Sequence, residues 1–216
     1  MTDYAIGIDL GGTKIAAVLL DRQGNVAAQL RRPTLPQEGV DAVIARIVAC
    51  IKELEAMAHD GPVVGIGLGA PASVDSQRQV ILSAANLGWH DVPIGALLRR
   101  RLGDSWAGAL WVDKDVGAGT LCEFLYGAGR GARRLLYVGI GTGVGAGQMF
   151  DGRLFHGADG SDGNIGHFIL KPDGDLCGCG KRGCVETLVS GPAIARQAVA
   201  ALRQFEPSTL DRKSVV

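Results

Sequence analysis

Two short runs, Asp9-Leu-Gly-Gly-Thr-Lys14 and Gly139-Ile-Gly-Thr-Gly-Val-Gly-Ala-Gly147, constrain the fold more than any other feature of the chain. Each separates two apolar stretches of strand length and puts glycine at the point of reversal. Tyr4 to Asp9 and Ile15 to Leu20 flank the first run, and Leu135 to Ile140 and Val144 to Phe150 flank the second. Both read as hairpins, not as strand-to-helix units. A third strand follows in each half, Val26 to Arg32 in one and Arg153 to His156 in the other. A repeated strand, glycine turn, strand order implies two related α/β lobes facing a cleft. The boundary is expected near Gly117 to Gly131, giving a first lobe of residues 1–118 and a second of residues 119–216.

Between the hairpins, Val40 to His59 carries Val43, Ile44, Ile47, Val48, Ile51 and Leu54 at helical spacing. Val63 to Leu68 reads as a strand, Ile94 to Arg101 as a short helix, and Ala109 to Val112 as a strand leading into Asp113-Lys-Asp115. Val116 to Tyr126 follows as a helix. An apolar content of 47% over 216 residues supports a real core. Lysine plus arginine equals aspartate plus glutamate at 22 each, which argues against nucleic acid or an anionic membrane as the main partner. The N-terminus has no basic and apolar leader pattern, and no later run is long and apolar enough to span a bilayer, so the cytosol is the expected compartment. Cys50 and Cys122 then read as reduced, buried thiols. Glycine, at 33 residues, is about double its average share and clusters at a few turns.

Those turns are where chemistry is expected. In the first, the bare backbone of Gly11 and Gly12 can approach a phosphate, Thr13 offers a hydroxyl, and Asp9 offers a carboxylate to hydrated magnesium. With Lys14 these form a phosphate-clamp candidate. An ordinary glycine hairpin is the alternative, but an apolar strand seldom ends on a carboxylate without a use for it. Gly141, Thr142 and Gly143 form the corresponding turn of the second half, and two such turns can converge on a triphosphate. Asp115, between an apolar strand and a helix, is either a general base or a helix cap. His167 with Cys177, Cys179 and Cys184 gives a Cys3His donor set, as structural zinc takes. Disulfides or a set of buried free thiols are the alternatives; three clustered cysteines cannot pair evenly, and Cys177 and Cys179 are too close in sequence to bridge comfortably.

Taken in order, Asp9 to Lys14, Asn86-Leu-Gly-Trp89, Asp115 with Glu123, Gly139 to Gly147, Gly166-His167 and Cys177 to Glu186 resemble the ROK-family sugar kinases, glucokinase-like proteins with the actin-like ATPase (ribonuclease H-like) fold. The resemblance covers essentially the whole chain. It implies two lobes around a cleft and ATP-dependent phosphorylation of a hexose or amino-hexose hydroxyl. By that resemblance Asp115 takes the proton of the attacking hydroxyl, while Asn86, His167 and Glu186 bind other hydroxyls. Asp9, Thr13 and Thr142 face the phosphates of ATP and Mg2+, and Zn2+ is structural. His167 then serves twice, one ring nitrogen on zinc and the other toward the sugar. A homodimer or tetramer is the usual family assembly. The family also contains repressors with a DNA-binding segment ahead of the kinase-like part, and nothing here precedes Asp3 that would supply one.

Three departures set this chain apart. Lys114 and Asn164 occupy sugar-contact positions where the family has Asn and Glu. A cation beside Asp115 is expected to favour its ionised form and weaken it as a base. The chain also stops at Val216, where the family continues, so the second lobe is expected to be shortened, with edge strands missing and apolar faces uncovered. A sugar kinase with an Asp general base, its activity open to impairment by these departures, is the reading, with a non-catalytic sugar-binding or regulatory protein, or an inactive fragment, as the alternatives.

Overall fold

The computed structural model describes residues 3–103, 106–158, 160 and 162–203. The first hairpin forms as its alternation requires: β1 (Tyr4–Leu10) pairs antiparallel with β2 (Lys14–Leu20), which pairs with β3 (Val26–Pro33). Helix α1 (Val40–Ala56) returns the chain across the sheet to β4 (Val63–Ala70), which lies parallel to β1. Ile6, Ile8 and Leu10 on β1 and Ile15, Ala17 and Leu19 on β2 share one face, against Ile44, Ile47, Ile51 and Leu54 of α1, and all are buried. This period-2 stripe against a period-3.6 stripe is the main core.

β5 (Ser73–Asp75), β6 (Val80–Ala84) and β7 (Trp89–Val92) make a small antiparallel sheet of their own. No strand was expected there. The segments are three to five residues long, too short for periodicity to register. Helix α2 (Ile94–Leu102) then leads to β8 (Ala109–Lys114), parallel to β4, completing the order β3-β2-β1-β4-β8. The registers Asp9↔Gly69 and Gly69↔Asp113 put the carboxyl ends of three parallel strands side by side.

Helix α3 (Asp115–Leu125) follows β8 without a loop, and β9 (Arg134–Ile140), β10 (Val144–Phe150) and β11 (Arg153–Phe155) repeat the opening meander. The boundary read between residues 118 and 119 falls inside α3, which packs on strands of both large sheets. Glycines permit the close approach: a Cβ at Gly139 or Gly145 would press on Val116, and one at Gly147 would collide with Thr120. So only part of the Gly139–Gly147 run is a turn, and the rest is a seat for α3. Among the described residues the second sheet holds three strands, and Leu136, Val138 and Ile140 on its outer strand β9 are exposed. Helices α4 (Val185–Val189) and α5 (Gly191–Arg203) close the described chain.

Candidate active site

Both glycine turns are built as tight hairpins. Gly11 N–H donates to Lys14 O at 2.9 Å, and Gly141 N–H donates to Gly143 O at 2.9 Å. The first is braced by fully buried Thr34, whose hydroxyl donates to Gly11 O at 2.6 Å and whose N–H donates to Thr13 O at 3.0 Å. A Cβ at Gly12 would lie 3.0 Å from Cβ of Asn86, so the short 3-10 turn Ala85–Leu87 passes directly over the hairpin because that position is glycine. Asn86, predicted to bind sugar, therefore sits beside the predicted phosphate clamp. The second hairpin is held from α5, where Gly191 N–H donates to Gly141 O at 2.8 Å. Thr13, Lys14 and Thr142 remain exposed at the two tips, and Asp9 is exposed at the end of β1.

Asp115 opens α3, and its Oδ1 accepts the Val116 N–H at 2.7 Å, leaving Oδ2 free of the helix end. Capping contact and an available oxygen thus coexist in one carboxylate. Its residue is reached by solvent, yet protein crowds the carboxyl from the other sides, and this desolvation raises its pKa above the ordinary carboxylate range. The Val116 N–H opposes the rise, the charge of Asp9 adds to it, and Lys114 lowers it least of all. Lys114 does favour the ionised form, as expected, but burial outweighs it, because the ammonium is engaged elsewhere. Lys114 is 4% exposed, and its Nζ donates to Asp162 Oδ1 at 2.5 Å, Asp162 O at 2.6 Å and Gly160 O at 3.2 Å. One residue earlier on β8, Asp113 pairs with His156 Nε2 at 2.7 Å.

The predicted metal ligands come together. One donor atom from each of His167, Cys177, Cys179 and Cys184 lies within 4.8 Å of every other. Cys179 Sγ and Cys184 Sγ are 3.6 Å apart, as are Cys177 Sγ and His167 Nδ1. Ligands held at about 2.3 Å around a tetrahedral zinc are themselves ~3.8 Å apart, so the set fits that ion. All five cysteines are free, which removes the disulfide alternative for this cluster; away from it Cys50 is buried as expected, but Cys122 is exposed, since it lies on the outer side of α3 and not in the core. With no cation, burial pushes the Cys184 thiol up to about 12, a state a thiolate-binding metal would reverse. The Nδ1 side of His167 faces the cluster, leaving Nε2 for another partner. Glu186, in the first turn of α4, joins cluster and hairpin: Oε2 accepts the Val144 N–H at 3.0 Å and Oε1 lies 3.8 Å from Cys177 Sγ. Asn164 is exposed just before the 3-10 turn Ile165–His167.

Thr34 and Asp162 were not read from the sequence. Thr34 follows an unremarkable strand, and Asp162 meets its partner across 48 residues, a separation that no local pattern encodes.

Residues 5–215 match the ROK family. The chain is 36% identical to the glucokinase of Thermotoga maritima over 94% of its own length and 62% of that protein's. A crystal structure of a ROK family glucokinase from Streptomyces griseus, in complex with glucose and AMPPNP, superposes with a TM-score of 0.82 at 33% identity, covering 93% of this chain and 62% of that one. The xylose repressor of Caldicellulosiruptor bescii is 30% identical over 88% of this chain and 47% of the repressor. The chain thus spans less than two thirds of the length of the glucokinases it matches. It has the mixed α/β, actin-like ATPase fold of those structures and belongs to the ROK family.

Proposed function

We propose that the chain carries the sugar- and nucleotide-binding cleft of a ROK-type hexose kinase, acting on a hexose or amino-hexose hydroxyl at the expense of ATP. The observation that supports this most directly is the placement of Asp9 and Asp115. In open α/β sheets ligands bind beyond the carboxyl ends of the strands. Asp9 is the penultimate residue of β1, and Asp115 follows β8, one strand beyond β4 in the register Asp9↔Gly69↔Asp113. Neighbouring strands lie about 4.8 Å apart, so the strand ends at Asp9 and Asp113, just ahead of Asp115, stand roughly 10 Å apart on one rim. That leaves room for a transferring phosphoryl group between a magnesium-side acid and a base-side acid.

In this reading Asp115 Oδ2 accepts the proton of the attacking hydroxyl, and its raised pKa brings it closer to a hydroxyl's needs than an ordinary carboxylate. Asn86, Asn164, the Nε2 of His167 and Glu186 orient the other hydroxyls. Asp9 holds Mg2+ through water, and Gly11, Gly12, Thr13, Lys14, Gly141, Thr142 and Gly143 cradle the phosphates. Magnesium supplies charge neutralisation at the phosphates when bound. Zinc on His167, Cys177, Cys179 and Cys184 is structural and fixes the His167 ring. A reducing cytosolic setting suits the free thiols.

The test is a coupled ADP-release assay over glucose, mannose, N-acetylglucosamine and N-acetylmannosamine. Turnover that depends on one of these sugars and falls about 10²–10⁴-fold in Asp115→Asn is the expected result. The second reading, a sugar-binding protein without catalysis, draws on the likeness to a xylose repressor and on the engaged Lys114 ammonium. Sugar binding by calorimetry with no turnover would favour it.

A further inference from the structure

Lys114 is an ammonium where ammonium groups are rarely found. Both it and Asp162 have side chains only 5% exposed, and its three N–H donors each have an acceptor in Gly160 O, Asp162 O or Asp162 Oδ1. It therefore has no proton left for a substrate hydroxyl. What it holds is a segment of the second half of the chain, between β11 and the turn that carries His167.

That segment is fixed at other points as well. Gly160 and Gly163 have φ of 73° and 72°, a left-handed conformation glycine adopts freely. A Cβ at Gly160 would collide with the Val74 carbonyl of β5, and one at Gly163 with the Ala146 carbonyl of β10. Ala146 N–H also donates to Gly163 O at 2.8 Å. His156, at the start of the segment, is tied to Asp113, the residue before Lys114 on β8. Successive β8 side chains leave opposite faces of the strand, yet both reach this one segment. The chain then passes from Asp162 through Gly163 directly into Asn164 and His167, while Lys114 passes directly into Asp115.

We propose that Lys114 and Asp162 form a positioning pair that sets the register between Asp115 and the hydroxyl-binding residues Asn164 and His167. The role given to those three residues rests on the kinase reading above; the tie itself does not. A buried ion pair has a distinctive signature: removing one partner strands a desolvated charge, whereas removing both leaves none. Single variants therefore lose stability that the double variant recovers, and only the positioning function remains lost in the double.

The experiment compares Lys114→Met, Asp162→Asn and the double variant Lys114→Met/Asp162→Leu in the whole 216-residue chain. It reads the melting temperature, amide hydrogen exchange across residues 157–167, and glucose affinity by calorimetry. Expected are lowered melting in both single variants and recovery in the double. Exchange is expected to be at least tenfold faster and glucose binding at least tenfold weaker in all three. Exchange unchanged in the single variants, or glucose affinity restored together with stability in the double, would overturn the proposal. If the unaltered protein binds no hexose, the kinase reading fails, and the exchange pattern still decides whether the pair fixes the segment.

Discussion

Lys114 and Asp115 are chain neighbours with opposite surroundings: the ammonium is buried against Asp162 at 2.5 Å, and the carboxylate opens α3 at an exposed position with one oxygen on the Val116 N–H. The strand-to-helix junction separates them. Lys114 ends β8 with its side chain toward the protein interior, and Asp115 is already in the first turn of the helix. The charge that would have acted on Asp115 is compensated elsewhere, and burial governs the acid instead.

That has a consequence for stability. A carboxyl whose folded pKa is raised binds more protons in the native state than in the unfolded state, at pH values between its ordinary pKa of about 3.9 and its raised one. Stability conferred by the protonated form is therefore complete below that window and is lost as pH rises through it. Asp115→Asn, neutral at every pH, is expected to melt higher than the unaltered protein at pH 7 and to lose that advantage below about pH 4. On the kinase reading the same variant should lose about 10²–10⁴-fold in turnover, a trade of stability for function. Melting curves across pH check it, and equal melting temperatures at neutral pH would count against desolvation of this carboxyl.

For the cysteine cluster, one equivalent of zinc per chain is expected by elemental analysis, with tetrahedral sulfur and nitrogen ligation by X-ray absorption. Cys179→Ser removes a ligand and should cost both the metal and a large part of the melting temperature, because a structural zinc contributes its binding energy to folding. Glu186 lies beside the cluster and also accepts the Val144 N–H, so loss of the metal should be felt at the second hairpin. Metal-free protein with unchanged melting would refute the assignment.

Two glycines separate steric need from conformational freedom. At Gly147 a Cβ would collide with Thr120 Oγ1 and lie 2.8 Å from Val116 O, whereas at Gly67, mid-strand in β4, nothing lies within 4 Å. Gly147→Ala is expected to destabilise by about 1–3 kcal/mol by forcing α3 off the second sheet. Gly67→Ala should be neutral or stabilise by about 0.4–1 kcal/mol, because alanine restricts the unfolded chain. Urea unfolding of both variants checks the contrast, and equal effects would mean that α3 is not tightly seated.

The same glycines show where sequence reasoning reaches and where it stops. The hairpins, α1 and the Cys3His cluster were legible because each has a local pattern: alternation, helical spacing, or closely spaced thiols. The small β5–β7 sheet was not, since its strands are too short to show a period. Nor could the glycines of the Gly139–Gly147 run be divided by role, because packing against α3 and making a turn call for the same residue. The pairing of Lys114 with Asp162 and of Asp113 with His156 is tertiary, set by where β8 meets the second half of the chain. Local spacing placed Lys114 beside Asp115 and so suggested the wrong electrostatic partner.

Asn164 offers the most direct way to strengthen the proposed sugar site. It is exposed, it immediately precedes the turn carrying His167, and its side chain makes no hydrogen bond to a described residue. Hydrogen bonds from hydroxyls to a carboxylate are roughly twice as strong as those to a neutral amide. Asn164→Glu places such an acceptor there without disturbing a buried contact or the Lys114–Asp162 pair two residues away. Glucose affinity measured by calorimetry is expected to rise about tenfold, equivalent to about 1.4 kcal/mol, with melting temperature unchanged. Because the gain arises from charge, Asn164→Gln, which lengthens the side chain but keeps the amide, should leave affinity near that of the unaltered protein. Equal affinities in all three proteins would mean that position 164 does not face the sugar, and the hydroxyl-binding set would shrink to Asn86, His167 and Glu186.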